Sequence, residues 1–435
     1  MTAPQHTERT IGLFGTVLTL VGFLIGASIY ILPGQLAALA GPGVILSYLF
    51  GGVMAFFACL LAAQIGVVIS RSGGSFYAIS NLISPMAGFV SLWLLLIAVC
   101  VATALVANGF ANYWLVYFPS WDPTTIAVGV VLLFCIINVL GTRISVMSQS
   151  LMTLLFLTAM ALFSIAGITT MDRSNLVPFL PAGFGSVLSA MIPAYFSWTG
   201  FTVLIEIGGE IKDPGRNIFR ALMIGFVLVL VFYIGVCLAL VGTMPWYTLG
   251  DFNAPVSEAA ELLLPSWLAN FITLSALLAS ATSVNGIVLA YSRDIYAMAR
   301  QRLFPEALAK LTDSHAVPAR AIVTFTAVAV MFILMGGTIT DYAIITVIAF
   351  MIIQIALAVA AIRIPVLMTA EYEASSFKLS VPMIRLSAGV VIVSSLGFLF
   401  KALADDPQKG LMVLLVLSSG WVWYHFRLRY LARTE

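Results

Sequence analysis

Glu206 is the one carboxylate of this 435-residue chain that stands well within a long apolar run, and it follows Thr202 by four residues, so the two share a helix face about one turn apart. An ionisable group in such surroundings is costly, which makes it a protonatable site or a polar anchor facing a water-filled path. The plainer reading is a residue near the end of its run, bonded beside Glu210 and reaching water. Two further stretches combine small residues with helix breakers. In the first, Gly22 and Ile25 lead into Gly26, Ala27 and Ser28, with Pro33 and Gly34 beyond. In the second, Pro193 precedes Phe196, Ser197, Trp198, Thr199 and Gly200. Metal chemistry finds no support, because Cys59, Cys100, Cys135 and Cys237 are far apart in apolar runs and His6, His315 and His425 are scattered. The cysteines read as core packing.

The elements that hold these residues follow from composition. Hydrophobic residues make up 61% and charged residues only 9%, against about a quarter charged in a soluble domain. Too few charges remain to cover a water-facing surface, so the solvent implied is hydrocarbon. Runs long enough to span it are predicted at 11–40, 43–69, 85–118, 124–141, 147–170, 185–209, 217–244, 262–297, 321–337, 341–362, 385–401 and 410–430, about twelve in all. The first run continues past signal-peptide length and has no cleavage site, so the amino terminus is expected to be retained. Threading from a cytoplasmic amino terminus puts seventeen of the 20 basic residues on the cytoplasmic side, and the opposite threading reverses the ratio. An inner (plasma) membrane protein with both termini cytoplasmic is therefore predicted. The acidic residues Asp251, Glu258 and Glu261 read as a solvated outer loop, and Arg143, Lys212, Arg216, Arg220, Arg293, Arg300 and Arg302 as topology and inner-gate contacts, Glu210 pairing with one of them.

The two interrupted stretches lie in runs one and six, each the first of a set of five. Broken helices at matching positions in two halves point to an inverted repeat with a site near mid-bilayer. An unwound segment bares N–H groups at the start of one half-helix and C=O groups at the end of the other. A zwitterion answers both: its carboxylate accepts from N–H groups near Gly26, Ala27 and Ser28, while its ammonium donates to carbonyls near Phe196, Ser197 and Thr199. No charged side chain is then needed.

Residues 22–34, residues 195–220 and residues 291–305 (Tyr291 to Pro305) resemble the first-helix, sixth-helix and post-eighth-helix signatures of the amino acid-polyamine-organocation permeases, in order and across nearly the whole chain. The resemblance implies an all-α membrane fold of the LeuT-like kind: a five-plus-five inverted repeat (11–170 and 185–362), two added helices within 385–430, short tails at 1–10 and 431–435, and helices one and six unwound at mid-bilayer. It also implies alternating access, with substrate held by Ile25 to Ser28 and Phe196 to Thr199, and with Phe196 at the position of an aromatic gate. A packed core aromatic is the bland alternative for Phe196. Two departures stand out. Phe156 occupies the place of a helix-five lysine used by many proton-coupled members, and Thr202 replaces a common acidic residue.

Coupling to an ion stays open at this level. The proton reading rests on Glu206. The sodium reading rests on Thr282 and Ser283, whose hydroxyls in sodium-coupled relatives of the fold join carbonyls matching Gly22 and Ile25 in an oxygen cage; the same hydroxyls also serve ordinary helix packing. Exchange without an ion is a third course. The lining offered by Thr103, Asn108, Phe196, Trp198, Phe201 and Thr202 has no basic residue, which suits a neutral or apolar amino acid. A cationic amino acid or polyamine antiporter is the alternative if Glu206 faces the cavity. No cofactor, metal centre or nucleic-acid partner is predicted; a membrane-embedded enzyme lacks a nucleophile or acid–base pair, and a channel has no use for two opposed broken helices.

Overall fold

The computed structural model describes residues 9–312 and 316–434, so His6 and His315 lie outside it. Its first half contains α1 (Leu13–Ile25), α2 (Ser28–Ala40), α3 (Val44–Val68), α4 (Gly74–Leu82), α5 (Pro85–Tyr117), α6 (Pro123–Val139) and α7 (Thr142–Thr169). The second contains α8 (Gly183–Tyr195), α9 (Val203–Glu206), α10 (Pro214–Thr243), α11 (Pro255–Leu263), α12 (Ser266–Arg300), α13 (Ala319–Met335) and α14 (Ile339–Leu367), followed by α15 (Thr369–Ala374), α16 (Val381–Asp405) and α17 (Pro407–Thr434). No strand occurs among the described residues.

Nine helical stretches of the described residues are long and apolar enough to cross a membrane. The first of them, Leu13–Val68, holds two of the runs expected separately, and α6 and α13 are apolar but shorter. Helix starts follow local chemistry. Asp122 caps α6 by accepting from the Thr125 N–H at 2.7 Å and its hydroxyl at 2.8 Å, bonds that hold this exposed carboxyl below the usual carboxylate range. Leu151, Ile165, Val231, Leu334, Phe400 and Leu415 point outward, forming an apolar exterior suited to lipid. All four cysteines are buried and free.

α12 is buried along most of its length and α1 packs against it, against α7 and against α10. Asn285 of α12 accepts from Asn138 of α6 and Ser145 of α7, both at 2.9 Å, and donates to Gln149 of α7 at 3.0 Å. Interhelical bonds of this sort hold helices together where hydrophobicity cannot tell helix from lipid.

α1 and α2 meet at Gly26–Ala27. Gly26 has φ 35° and ψ −143°, a region open to glycine and strained for other residues. It also touches α12: a Cβ there would fall 1.5 Å from Ser283 Oγ and 2.9 Å from Ser283 Cβ. The matching stretch in the second half was expected to be unwound. It is instead a 3-10 helix, Phe196–Thr202, wound more tightly than its neighbours α8 and α9. The expected acidic loop is also more ordered, since Glu258 and Glu261 sit exposed on α11.

One end of the bundle is laced together around residues 206–212. The N–H groups of Thr10 and Ile11 donate to the Glu210 carbonyl at 3.0 Å, Lys212 N–H donates to Ile11 at 2.8 Å, and Gly73 N–H donates to the Glu206 carbonyl at 2.9 Å. Arg293, one of the basic residues expected at the inner gate, is buried and is the one that pairs with Glu210. Its guanidinium donates to Glu210 Oε1 at 3.0 Å, Ser292 Oγ at 3.1 Å and Thr142 Oγ1 at 3.0 Å.

Two outcomes follow for purified protein in detergent. Gly26→Ala should lower stability by about 2 kcal/mol through backbone strain and overpacking, and adding Ser283→Ala should restore only part, because the strain at residue 26 persists; thermal unfolding of the single and double variants checks this. Glu210→Ala should cost about 3–5 kcal/mol by leaving Arg293 a buried, unpaired cation, and a melting temperature equal to that of the parent would contradict it.

Candidate substrate site

The last four carbonyls of any α-helix lack intrahelical partners, and in α1 these belong to Gly22, Phe23, Leu24 and Ile25. Each meets a hydroxyl. Thr282 donates to Gly22 at 2.9 Å and Ser283 to Phe23 at 3.3 Å. Tyr233 of α10 lies 3.5 Å from the Leu24 carbonyl and 3.2 Å from that of Ile25. Ser28 donates back to Ile25 at 2.9 Å and shares a 2.5 Å contact with the Tyr233 hydroxyl. The break in the helix is thus sealed by α10 and α12 without a charged side chain.

Across from it, Thr199 donates to the Phe196 carbonyl at 2.8 Å. Gly200 lets the two segments touch, since a Cβ there would lie 2.3 Å from Phe23 Cε1. Between them is a cavity of 30 Å³ lined by Phe23, Leu24, Ser28, Phe196, Thr199, Gly200 and Ser283, with Val99, Ala102, Val106, Ile287 and Phe350 completing the wall. That is room for about two water molecules. The lining is apolar apart from hydroxyls and backbone.

Of the residues expected at the site, Ser28, Phe196, Thr199 and Ser283 therefore converge on one cavity. Ile25, Gly26 and Ala27 are buried between the lining residues Leu24 and Ser28 and do not themselves line it. Trp198 and Thr202 line a separate 20 Å³ cavity on the other side of the 3-10 helix, together with Gln354 of α14. Trp198 is packed between Phe201 and Phe226 and over Gly51 and Gly52 of α3, so its indole serves the core. Ser197 is buried, and Asn108 is half-buried and lines neither cavity. The helical register put Asn108 on α5 but did not say which face of α5 turns inward. A larger cavity of 250 Å³, between Trp93, Phe304, Phe325 and Trp423, is wholly apolar and offers nothing to a zwitterion.

Glu206 does not face the cavity. Its Oε2 accepts from the Ser75 N–H at the start of α4, at 3.3 Å, and its carboxyl lies against that of Asp294 on α12. Both carboxyl groups are fully buried. Glu206 is therefore not the lone carboxylate of the interior, as the sequence suggested. Asp294 escaped notice because it closes run 262–297 next to Arg293, where a charge pair looks interfacial; its signal was simply its place before the run's end. Tyr233 was missed as well, and a polar ring midway along run 217–244 was the clue.

The sequence profile of the Amino acid permease family matches residues 15–405. The chain is 30% identical to the Branched-chain amino acid permease BcaP of Lactococcus lactis subsp. cremoris over 337 residues, covering 72% of each protein. It is 28% identical to the Methylthioribose transporter of Bacillus subtilis over 339 residues, covering 73% of this chain and 72% of that protein. It is 29% identical to Cationic amino acid transporter 5 of Arabidopsis thaliana over 318 residues, covering 69% of this chain and 55% of the plant protein. With a profile match over most of its length and an all-helical, multiply spanning architecture, the chain belongs to the amino acid permease family of the amino acid-polyamine-organocation superfamily.

Proposed function

We propose that this protein is a secondary transporter of neutral, branched-chain amino acids, working by alternating access around the cavity between the α1–α2 junction and the 3-10 helix. The observation that carries the reading is the lining itself. Backbone and hydroxyl groups of Ser28, Phe196, Thr199 and Ser283 face an otherwise apolar wall, with no acidic or basic side chain among them. Such a wall suits one carboxylate, one ammonium and an aliphatic side chain. The carboxylate is held by N–H groups at the start of α2 and the ammonium by carbonyls of Phe196 to Thr199. Phe196 closes the site from one side.

The named substrate of the Lactococcus relative supports this choice. A cationic substrate is the second reading, supported by the plant relative's name, but its extra charge finds no partner in the cavity because Glu206 is turned toward α4 and α12. The wider scheme we propose is twelve spans arranged as repeats 11–170 and 185–362, two added helices, both termini cytoplasmic, and the plasma membrane as location. A sodium site at Gly22, Ile25, Thr282 and Ser283 is the alternative; Thr282 donates to the Gly22 carbonyl, whereas Ser283 lies at that of Phe23 and the Ile25 carbonyl is met by Tyr233 and Ser28.

Counterflow in proteoliposomes tests the reading. Saturable exchange of labelled leucine, competed by isoleucine and valine but not by arginine or methylthioribose, is expected; exchange competed only by arginine would move the assignment to cationic substrates. Tyr233→Phe should lower the stability of the purified protein by about 1 kcal/mol, since it removes one hydrogen bond from the sealed junction, and an unchanged melting temperature would remove Tyr233 from the joint. Replacing sodium by choline should leave leucine uptake unaltered, and loss of uptake would make the transport sodium-coupled.

A further inference from the structure

We propose that Glu206 and Asp294 form a proton site, holding one proton between two carboxyl groups, and that this proton fastens α9 to α12. The consequence for transport rests on the permease reading above; the site itself rests on geometry. Glu206 is the last residue of α9, which packs on α12, and its carboxyl lies against that of Asp294 of α12, both at 0% exposure. They share a neighbour in Gly73, whose N–H donates to the Glu206 carbonyl at 2.9 Å and whose added Cβ would lie 3.5 Å from Asp294 Oδ1. Glu206 Oε1 and both Asp294 oxygens have no donor from the protein.

The surrounding groups do not neutralise a second negative charge. On α12, the Arg293 guanidinium is committed to Glu210, Ser292 and Thr142, and Arg300 lies at the Tyr296 hydroxyl, 3.3 Å away. Tyr291 presents a buried hydroxyl beside Thr202 and the two carboxyls. On α4, Tyr77 lies under the exposed Arg71 side chain, 6.0 Å from its ring centroid. From the turn after α9, Glu210 faces Arg293. α3 brings only Cys59, turned to the Leu222 carbonyl, and Tyr48, stacked on Tyr233; α1 brings no titratable side chain. What remains for the pair is Ser75 at the N-terminus of α4, whose N–H and hydroxyl face Glu206 and suit one negative charge.

Two carboxylates in contact carry only acceptors, so they bond only when a proton lies between them. Without it, two like charges face each other in a dry interior, where their repulsion is far stronger than in water. α9 is held to α12 by this pair and by Arg293–Glu210 four residues further on. Loss of the proton sets one of the two fastenings against the other and frees α9 to move, which links protonation to closure at this end of the bundle.

Infrared spectroscopy of the protein in liposomes, titrated upward in pH, tests the site directly. The wild type should show a C=O stretching band of a protonated carboxyl that disappears as pH rises, and Glu206→Gln/Asp294→Asn should lack it. The exchanged pair Glu206→Asp/Asp294→Glu should retain it, which separates lost protonation from lost folding. An equal band in the wild type and the Gln/Asn variant would overturn the site, as would loss of the band on adding sodium at constant pH, since the pair would then take a metal cation. In the same vesicles, an inward gradient of one pH unit should drive about tenfold leucine accumulation if one proton accompanies each substrate, and Asp294→Asn should abolish that accumulation. Leucine counterflow without gradient-driven accumulation in the wild type, or accumulation undiminished in Asp294→Asn, would overturn the coupling while leaving the permease reading standing. Absence of counterflow would remove the permease reading, and the infrared band would still decide the proton site.

Discussion

A peptide group that loses its helical partner inside an apolar bundle must find another, because no bulk water reaches it. That requirement organises the centre of this protein. Ending α1 at Ile25 leaves four carbonyls to be satisfied, and the hydroxyls that answer them come from α2, α10 and α12. The long burial of α12, the packing of α10 over α1 and the contact of Gly26 with Ser283 are all conditions for that sealing. The interruption is therefore a joint held by three helices rather than a loose segment, and the cavity inherits its shape from the joint.

A second dependence runs from the joint to the end of the bundle. The 3-10 helix that faces the cavity continues directly into α9, whose last residue Glu206 is bound to the α3–α4 connection through Gly73, and into the turn beyond it, where Glu210 binds the amino-terminal residues Thr10 and Ile11, and Arg293 of α12. Residues 196–210 thus touch the cavity at one end and the laced end of the molecule at the other. A shift at either end has a short, stiff path to the other, which is the kind of coupling a carrier needs if opening on one side is to exclude opening on the other.

Composition and the spacing of apolar runs made the helical membrane architecture legible, because a chain with so few charges has only one solvent in which its surface makes sense. Three ordered motifs made the family legible. The cavity was half legible: Ser28, Phe196 and Thr199 could be named from their place beside glycines and prolines, which mark close approach. Trp198 and Asn108 could not be sorted correctly, since which face of a short 3-10 helix or of α5 turns inward is decided by neighbours far away in sequence. The same holds for Tyr233, Thr282 and the Asp294 contact, each of which depends on how α10 or α12 is rotated against α1 and α9. Helix rotation is set by packing of small residues over many turns, and a single apolar helix carries little periodic signal when it is surrounded by other apolar helices.

The hydroxyls that line the cavity are already occupied. Ser28 is engaged with the Ile25 carbonyl and Tyr233, and Thr199 with the Phe196 carbonyl. Under the proposed reading, a guest there exchanges internal bonds for its own and pushes apart walls that stand only two waters wide. Its net gain on entry is then small, and so is the cost of departure: a holder built from self-satisfied groups lets its cargo go on the far side.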